Sequence, residues 1–193
     1  MIGIDVSKWQ KDIDFNKLKE AGVEFIIIRV GSSTGINGEN FIDSKFIQNI
    51  TNANNLNIPV GVYFYSHANS KERAISDAKW VLEQIKDYNV ELGVALDWEN
   101  WNSFNEFNLS FFGLTNMANE FLKVINDAGY KTLLYSSKTY LENMWMDIEY
   151  PIWLAHYVKN TTYKDDYEYW QICSNGQVEG IDADVDIDIR YLN

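Results

Sequence analysis

Cysteine is nearly absent. Cys173 is the only one in 193 residues, so no internal disulfide can form. It sits in YWQIC, where a buried, inert thiol is expected. Histidine is almost as scarce, at 2 residues, which leaves too few imidazole or thiolate donors for a zinc site. No apolar run approaches the roughly 20 residues of a bilayer-spanning helix. Basic residues are outnumbered, 16 Lys and Arg against 28 Asp and Glu, for a net charge of −12. That balance argues against a nucleic-acid partner, whose phosphates need a basic patch, and equally against an anionic membrane surface or membrane insertion. No secretory leader is expected either: Met1 runs into Ile2, Gly3, Ile4 and Asp5, with no basic region and no apolar stretch. The expectation is synthesis in the cytoplasm, or a chain trimmed for expression.

Aromatic residues, by contrast, are plentiful at 15%, with 7 Trp and 12 Tyr. Core volume accounts for most of them, and a surplus suits a carbohydrate-stacking cleft. The length predicts one domain over 1–193 with a large core.

The chain alternates strand and helix patterns. GIDVS (3–7) reads as a strand. Asp14 offers an N-cap to FNKLKEAG. Residues 23–30, VEFIIIRV, form a β-branched run suited to a strand covered on both faces. A glycine-bearing loop, a helix over about 44–56 and the strand VGVYFYS (60–66) follow. Ser70 caps a long amphipathic helix, LGVALDWE forms the next strand, and helix 110–128 leads to strand 131–137 and a short helix, 138–145. PIWLAHY, YEYWQIC and DVDIDI then read as three strands without intervening helices. Alternation implies a parallel sheet, and eight strands can close around a side-chain-filled interior. The predicted fold is α/β, an irregular TIM-like β/α barrel with eight strands and five helices. Only about ten residues (174–183) join the last two strands, too few for a parallel crossover. The last strand is therefore predicted antiparallel, with Asp184–Asp186 at the rim where the parallel strands end.

Barrel enzymes work at that rim. Asp5 ends the first strand, Asp97 and Glu99 end the fourth, and Asp186 reaches the same mouth. On a strand, residues i and i+2 share a face, which sets Asp97 and Glu99 on one side with Cα atoms roughly 6.6–6.8 Å apart and turns Trp98 to the other. Two carboxylates that close cannot both ionise freely, so one should hold a proton near neutrality, as glycoside hydrolases require. A solvated acidic edge is the plainer account of the pair alone; convergence with Asp5 and Asp186 favours chemistry.

These residues carry a resemblance. GIDVSKWQ, GVYFYSHA, VALDWE, PIWLAHY and WQICSNGQVEGIDADVDID, in that order across nearly the whole chain, resemble the family 25 glycoside hydrolases. These are the Chalaropsis-type lysozymes (N-acetylmuramidases) of phage endolysins and bacterial autolysins. The resemblance implies a β/α barrel that cleaves the β-1,4 bond between N-acetylmuramic acid and N-acetylglucosamine in bacterial cell-wall peptidoglycan, without cofactor or metal. It implies Glu99 as general acid, and Asp97 as the group that steers the substrate's own 2-acetamido group. Asp5 and Asp186 become flanking aspartates that shape the site, and Tyr63 an aromatic of the sugar cleft. By position, Tyr65, Tyr135, Trp153, Tyr157 and Trp170 are further cleft-wall candidates, for which core packing is an equally good account, and Gln171 helps to position the acids. Asp188 departs from the family's VDxN pattern, where Asn is more usual.

Many family members carry a cell-wall-binding module and none follows Asn193. The expectation is an excised catalytic domain, with a separate C-terminal wall-binding module in the full-length protein, or a lysin lacking one. The resemblance also implies action on the wall after release from the host cytoplasm, by holin-type export for a phage lysin. Rival readings are a family 18-like chitinase, weakened because Ala95 and Gly93 stand where further aspartates belong, a sugar-binding barrel without catalysis, and metal-dependent hydrolysis. Strand spacing leaves retention or inversion open; the resemblance implies retention.

Overall fold

In a computed structural model that describes residues 1–191, nine strands form one sheet. They are β1 (Ile2–Val6), β2 (Phe25–Ser33), β3 (Asn40–Ile42), β4 (Val60–Tyr65), β5 (Gly93–Asp97), β6 (Thr132–Ser137), β7 (Ile152–Ala155), β8 (Tyr169–Gly176) and β9 (Val185–Arg190). The order is β1-β9-β8-β7-β6-β5-β4-β2-β3, and pairing of β1 with β2 closes eight strands into a barrel with β3 outside it. The predicted eight-stranded barrel is thus present with one added strand. β3 pairs antiparallel with the end of β2 inside what reads as a loop. β9 runs antiparallel to both β1 and β8, while the other barrel neighbours are parallel.

Five α-helices connect these strands: α1 (Phe15–Glu20), α2 (Phe46–Asn55), α3 (Lys71–Ile85), α4 (Phe111–Asp127) and α5 (Lys138–Asn143). Three of them, α1, α3 and α4, start on side-chain caps. The Asp14 carboxylate accepts from Asn16 and Lys17 N–H, Ser70 Oγ from Arg73 N–H, and Ser110 Oγ from Gly113 N–H, each meeting a donor that the first turn leaves orphaned. Two 3-10 segments, Lys8–Gln10 and Asn100–Phe107, follow β1 and β5 at the mouth.

Period-two alternation sorts side chains into two layers. Outward residues such as Ile26, Ile28, Val62, Phe64, Leu96, Trp98, Leu134 and Leu154 join the helices in the larger core. Trp98 is fully buried there and donates its indole N–H to Ala68 O at 3.1 Å. Inward residues Phe25, Ile27, Leu92, Ala95, Leu133, Tyr135, Trp153, Ala155 and Tyr169 fill the barrel. Glycines make room for these rings: a Cβ on Gly3 would lie 2.6 Å from the Phe25 ring. Gly93 opens β5 at φ +100°, where a Cβ would also meet Lys131 O at 2.5 Å, so only glycine fits. Cys173 is half-buried, not buried as its surroundings in YWQIC predict. Its place beside an irregular stretch of the β8–β9 register explains the difference.

Candidate active site

The same alternation aims Asp5 of β1, Tyr63 of β4, Asp97 of β5, Tyr135 of β6, Trp153 of β7, Gln171 of β8 and Asp186 of β9 into one mouth. With Glu99 and Tyr157 they line a cavity of about 210 Å³. The reversal of β9 places Asp186 directly opposite Asp5. Nine of the eleven residues singled out in the sequence therefore meet in one hollow. A second hollow of about 320 Å³ shares Glu99, Tyr135 and Tyr157 and adds Ser137, Lys138, Thr139, Ala155 and His156. Glu99 stands where the two adjoin. A larger surface groove, about 660 Å³ beside α1 and Gly180, contains none of the four converging acids, so size alone does not locate the chemistry.

Two aromatics lie elsewhere. Trp170 has the outward parity of β8, packs with the helical layer, and donates its N–H to His156 O at 2.9 Å. Tyr65 has inward parity but sits above the cavity, pairing in register with Asp97 and meeting His67 edge-to-face. The strand also stops sooner than predicted. β5 ends at Asp97, and Glu99, at φ −126° and ψ 24°, has left the extended conformation to open the 3-10 segment. The turn gives the two acids different surroundings: Asp97 is 4% exposed, whereas Glu99 is exposed to solvent.

Burial decides the electrostatics. It pushes the Asp97 carboxyl well above the usual range, and the charge of Glu99 and a hydrogen bond between the two carboxyls add to it; Arg29 pulls the other way. Asp5 is also driven well above its ordinary value, first by burial and then by Asp188 and Asp186. Asp186 rises to about 6, through burial and the charge of Glu99. Tyr65 is pushed up to about 12 by partial burial and by Asp97 and Glu99.

Gln171 ties the floor to the wall. Its Nε2 donates to Asp5 Oδ2 at 2.7 Å, and its Oε1 accepts from Tyr135 Oη at 2.8 Å and Tyr157 Oη at 2.7 Å. Those two donors fix which end of the amide faces Asp5. The mouth is braced further out by Asn100, which accepts from His67 Nδ1 at 2.6 Å and donates to Ser66 O at 2.9 Å.

Sequence reasoning missed Arg29. From β2, in register with Tyr63, it donates to Asp43 Oδ2 through Nε at 2.8 Å, and Asp43 also accepts from Lys8 and Lys45 N–H. The signal was present: a cation inside the apolar run VEFIIIRV needs a buried partner.

Comparison with known proteins follows the same lines. The profile of Glycosyl hydrolases family 25 matches residues 4–181. The autolytic lysozyme of Clostridium acetobutylicum is 26% identical over 191 residues, which cover 97% of this chain and 55% of that protein. Lysozyme M1 of Streptomyces globisporus is 28% identical over 208 residues, covering 95% of this chain and 65% of the relative. Among solved structures, the modular autolysin LytC of Streptococcus pneumoniae, in complex with a synthetic peptidoglycan ligand, superposes with a TM-score of 0.87 at 27% identity, over 98% of this chain. This chain spans about half of that autolysin, 46% of its length.

Proposed function

The chain belongs to family 25 of the glycosyl hydrolases, and from that membership we propose that it is a muramidase. It hydrolyses the β-1,4 bond between N-acetylmuramic acid and N-acetylglucosamine in bacterial peptidoglycan. The observation that carries the reading is the meeting of Asp5, Asp97, Glu99 and Asp186 in one aromatic-walled hollow beside a second one.

Glu99 is the general acid. It sits between the adjoining hollows, where the bond joining two sugar rings would lie, and it is the exposed member of the Asp97–Glu99 pair. Burial favours the proton on Asp97. An acetamido N–H donated to Asp97 stabilises that carboxylate, which leaves the proton on Glu99. Glu99 then protonates the leaving glycosidic oxygen while the acetamido oxygen attacks the anomeric carbon. The ionised Asp97 steadies the positive charge of the resulting ring. Water, deprotonated by Glu99, opens that ring and returns the enzyme to its starting state. Two displacements at one carbon give net retention. Asp5 and Asp186 supply negative potential beneath the reacting carbon, and Tyr63 and Tyr157 present ring surface to the sugar, with Trp153 and Tyr135 packed behind them.

Digestion of purified cell walls, borohydride reduction of the new ends and mass spectrometry of the reduced sugar test this reading. Reduced muramic acid supports it. Reduced glucosamine, or free peptide amines without new sugar ends, overturns it.

A further inference from the structure

Below Asp186 on β9, one residue pair further into the barrel, Asp188 faces the interior with no solvent exposure. Its Oδ1 accepts the indole N–H of Trp153 at 2.7 Å. No N–H or neutral O–H donor among the described residues reaches its Oδ2. In the β1–β9 register Asp186 opposes Asp5 and Asp188 opposes Gly3, so Asp188 and Asp5 are diagonal neighbours on the inward face, close enough for one carboxyl to meet the other. Since ionised carboxylates only accept, a hydrogen bond between them forms only while a proton lies there. Asp5 is already held by Gln171 Nε2. At the site floor it thus stands between a neutral amide and a second buried acid whose Oδ2 has no other donor.

We propose that Asp188 is a positioning residue: it shares one proton with Asp5, and that proton keeps Asp5 in its working geometry. This deepens the muramidase reading and rests on it. Asp188 is too deep to touch sugar and acts through Asp5.

The surroundings fit a proton-holding pair. Asp186 on the same strand adds negative charge to both members. Tyr63 of β4, Tyr135 of β6 and Tyr157 face Asp5, and Tyr169 of β8 faces Asp188, with the Arg190 guanidinium 5.5 Å from the centre of the Tyr169 ring. The tyrosines are neutral, so they do not offset a second anion. Burial places Asp188 at about 8, the Trp153 and Asp5 hydrogen bonds holding it back from rising further. In an alkaline medium the pair loses its proton, two buried carboxylates repel, and Asp5 is pushed out of line. The activity then falls without any change in the groups that touch substrate.

The test is the pH profile of cell-wall hydrolysis by wild type, Asp188→Asn and Asp188→Ala. Asparagine keeps the shape, accepts from Trp153 and donates to Asp5, but does not titrate. Asp188→Asn is expected to keep near-normal kcat and KM at pH 6 and to extend the alkaline limb upward by about one pH unit or more. Asp188→Ala is expected to lose activity across the whole range. Superimposable alkaline limbs for wild type and Asp188→Asn overturn the proposal. A substrate-free check uses wild type labelled at aspartate Cγ: two carboxyl resonances should move together in one step above pH 7, and their absence overturns the proposal even if the variants fold poorly. A wild type that binds the proton in this way but releases no muramic ends fails the muramidase reading alone.

Discussion

Gln171 Nε2 lies 2.7 Å from Asp5 Oδ2, across 166 residues of sequence. That contact joins the first strand of the chain to the penultimate one and makes Gln171 the hub between an acid on the floor and two tyrosines on the wall. The consequences can be measured.

Tyr135 and Tyr157 donate to the same Gln171 oxygen. Either one alone keeps that buried acceptor occupied. Tyr135→Phe and Tyr157→Phe should each be mild, whereas the double variant leaves the oxygen unsatisfied at a cost of about 1–3 kcal/mol. Urea denaturation of the full double-mutant cycle should therefore show a double change larger than the sum of the singles. Strict additivity would rule out the shared-acceptor account.

Glu99→Gln removes the transferable proton while keeping side-chain size. Because Glu99 is exposed, folding should be unaffected and the thermal midpoint unchanged. Turnover should drop by at least about 10²–10⁴-fold, with oligosaccharide binding by calorimetry retained. Near-normal release of reducing ends would remove Glu99 from its role.

Stability should depend on pH in an unusual direction. Asp5, Asp97, Asp186 and Asp188 all lie above their ordinary values in the folded protein, chiefly through burial. The folded chain therefore holds protons that the unfolded chain has already released, and stability falls as pH rises. The window opens near the ordinary carboxylate value, about 4, and extends through about 6 for Asp186 and about 8 for Asp188. Scanning calorimetry should give a higher midpoint at pH 5 than at pH 8. An equal or higher midpoint at pH 8 contradicts the arrangement.

Arg29→Met should destabilise by about 3–5 kcal/mol, since it strands the fully buried Asp43 carboxylate. Chemical denaturation reads the loss. Asp43 also holds the backbone of Lys8 and Lys45, so the segments after β1 and β3 should show faster amide exchange in this variant. A loss below 1 kcal/mol would mean that Asp43 finds another partner.

The barrel was legible because β-branched runs and capped amphipathic helices alternate along most of the chain. The reversed last strand was legible in the brevity of 174–183. β3 was not: three residues, Asn40–Ile42, carry too little pattern to stand out from a loop. The acids at the mouth followed from their places at strand ends, and parity explained Trp98. The same parity, carried along YWQ, also separates outward Trp170 from inward Gln171, and along VDID it aims both Asp186 and Asp188 inward. Glu99 could not be placed that way, because the backbone turns immediately after Asp97 and strand periodicity no longer applies. The proton shared by Asp5 and Asp188 was invisible for another reason. It depends on partners 183 positions apart and on the absence of any other donor, which only three-dimensional packing reveals.

The antiparallel course of β9 also governs how the molecule can be held. β9 begins at the mouth and descends to the closed end, where the Met1 amine donates to Arg190 O at 3.0 Å. Four residue steps of strand, roughly 13 Å, thus separate Asp186 from the point where Met1 meets Arg190. A tether, a resin or a fused protein joined near Met1 or Arg190 would hang from the base, leaving the opening turned outward. The adjacency also invites a circular permutant, its ends joined by a short glycine bridge and a new opening cut in an exposed loop.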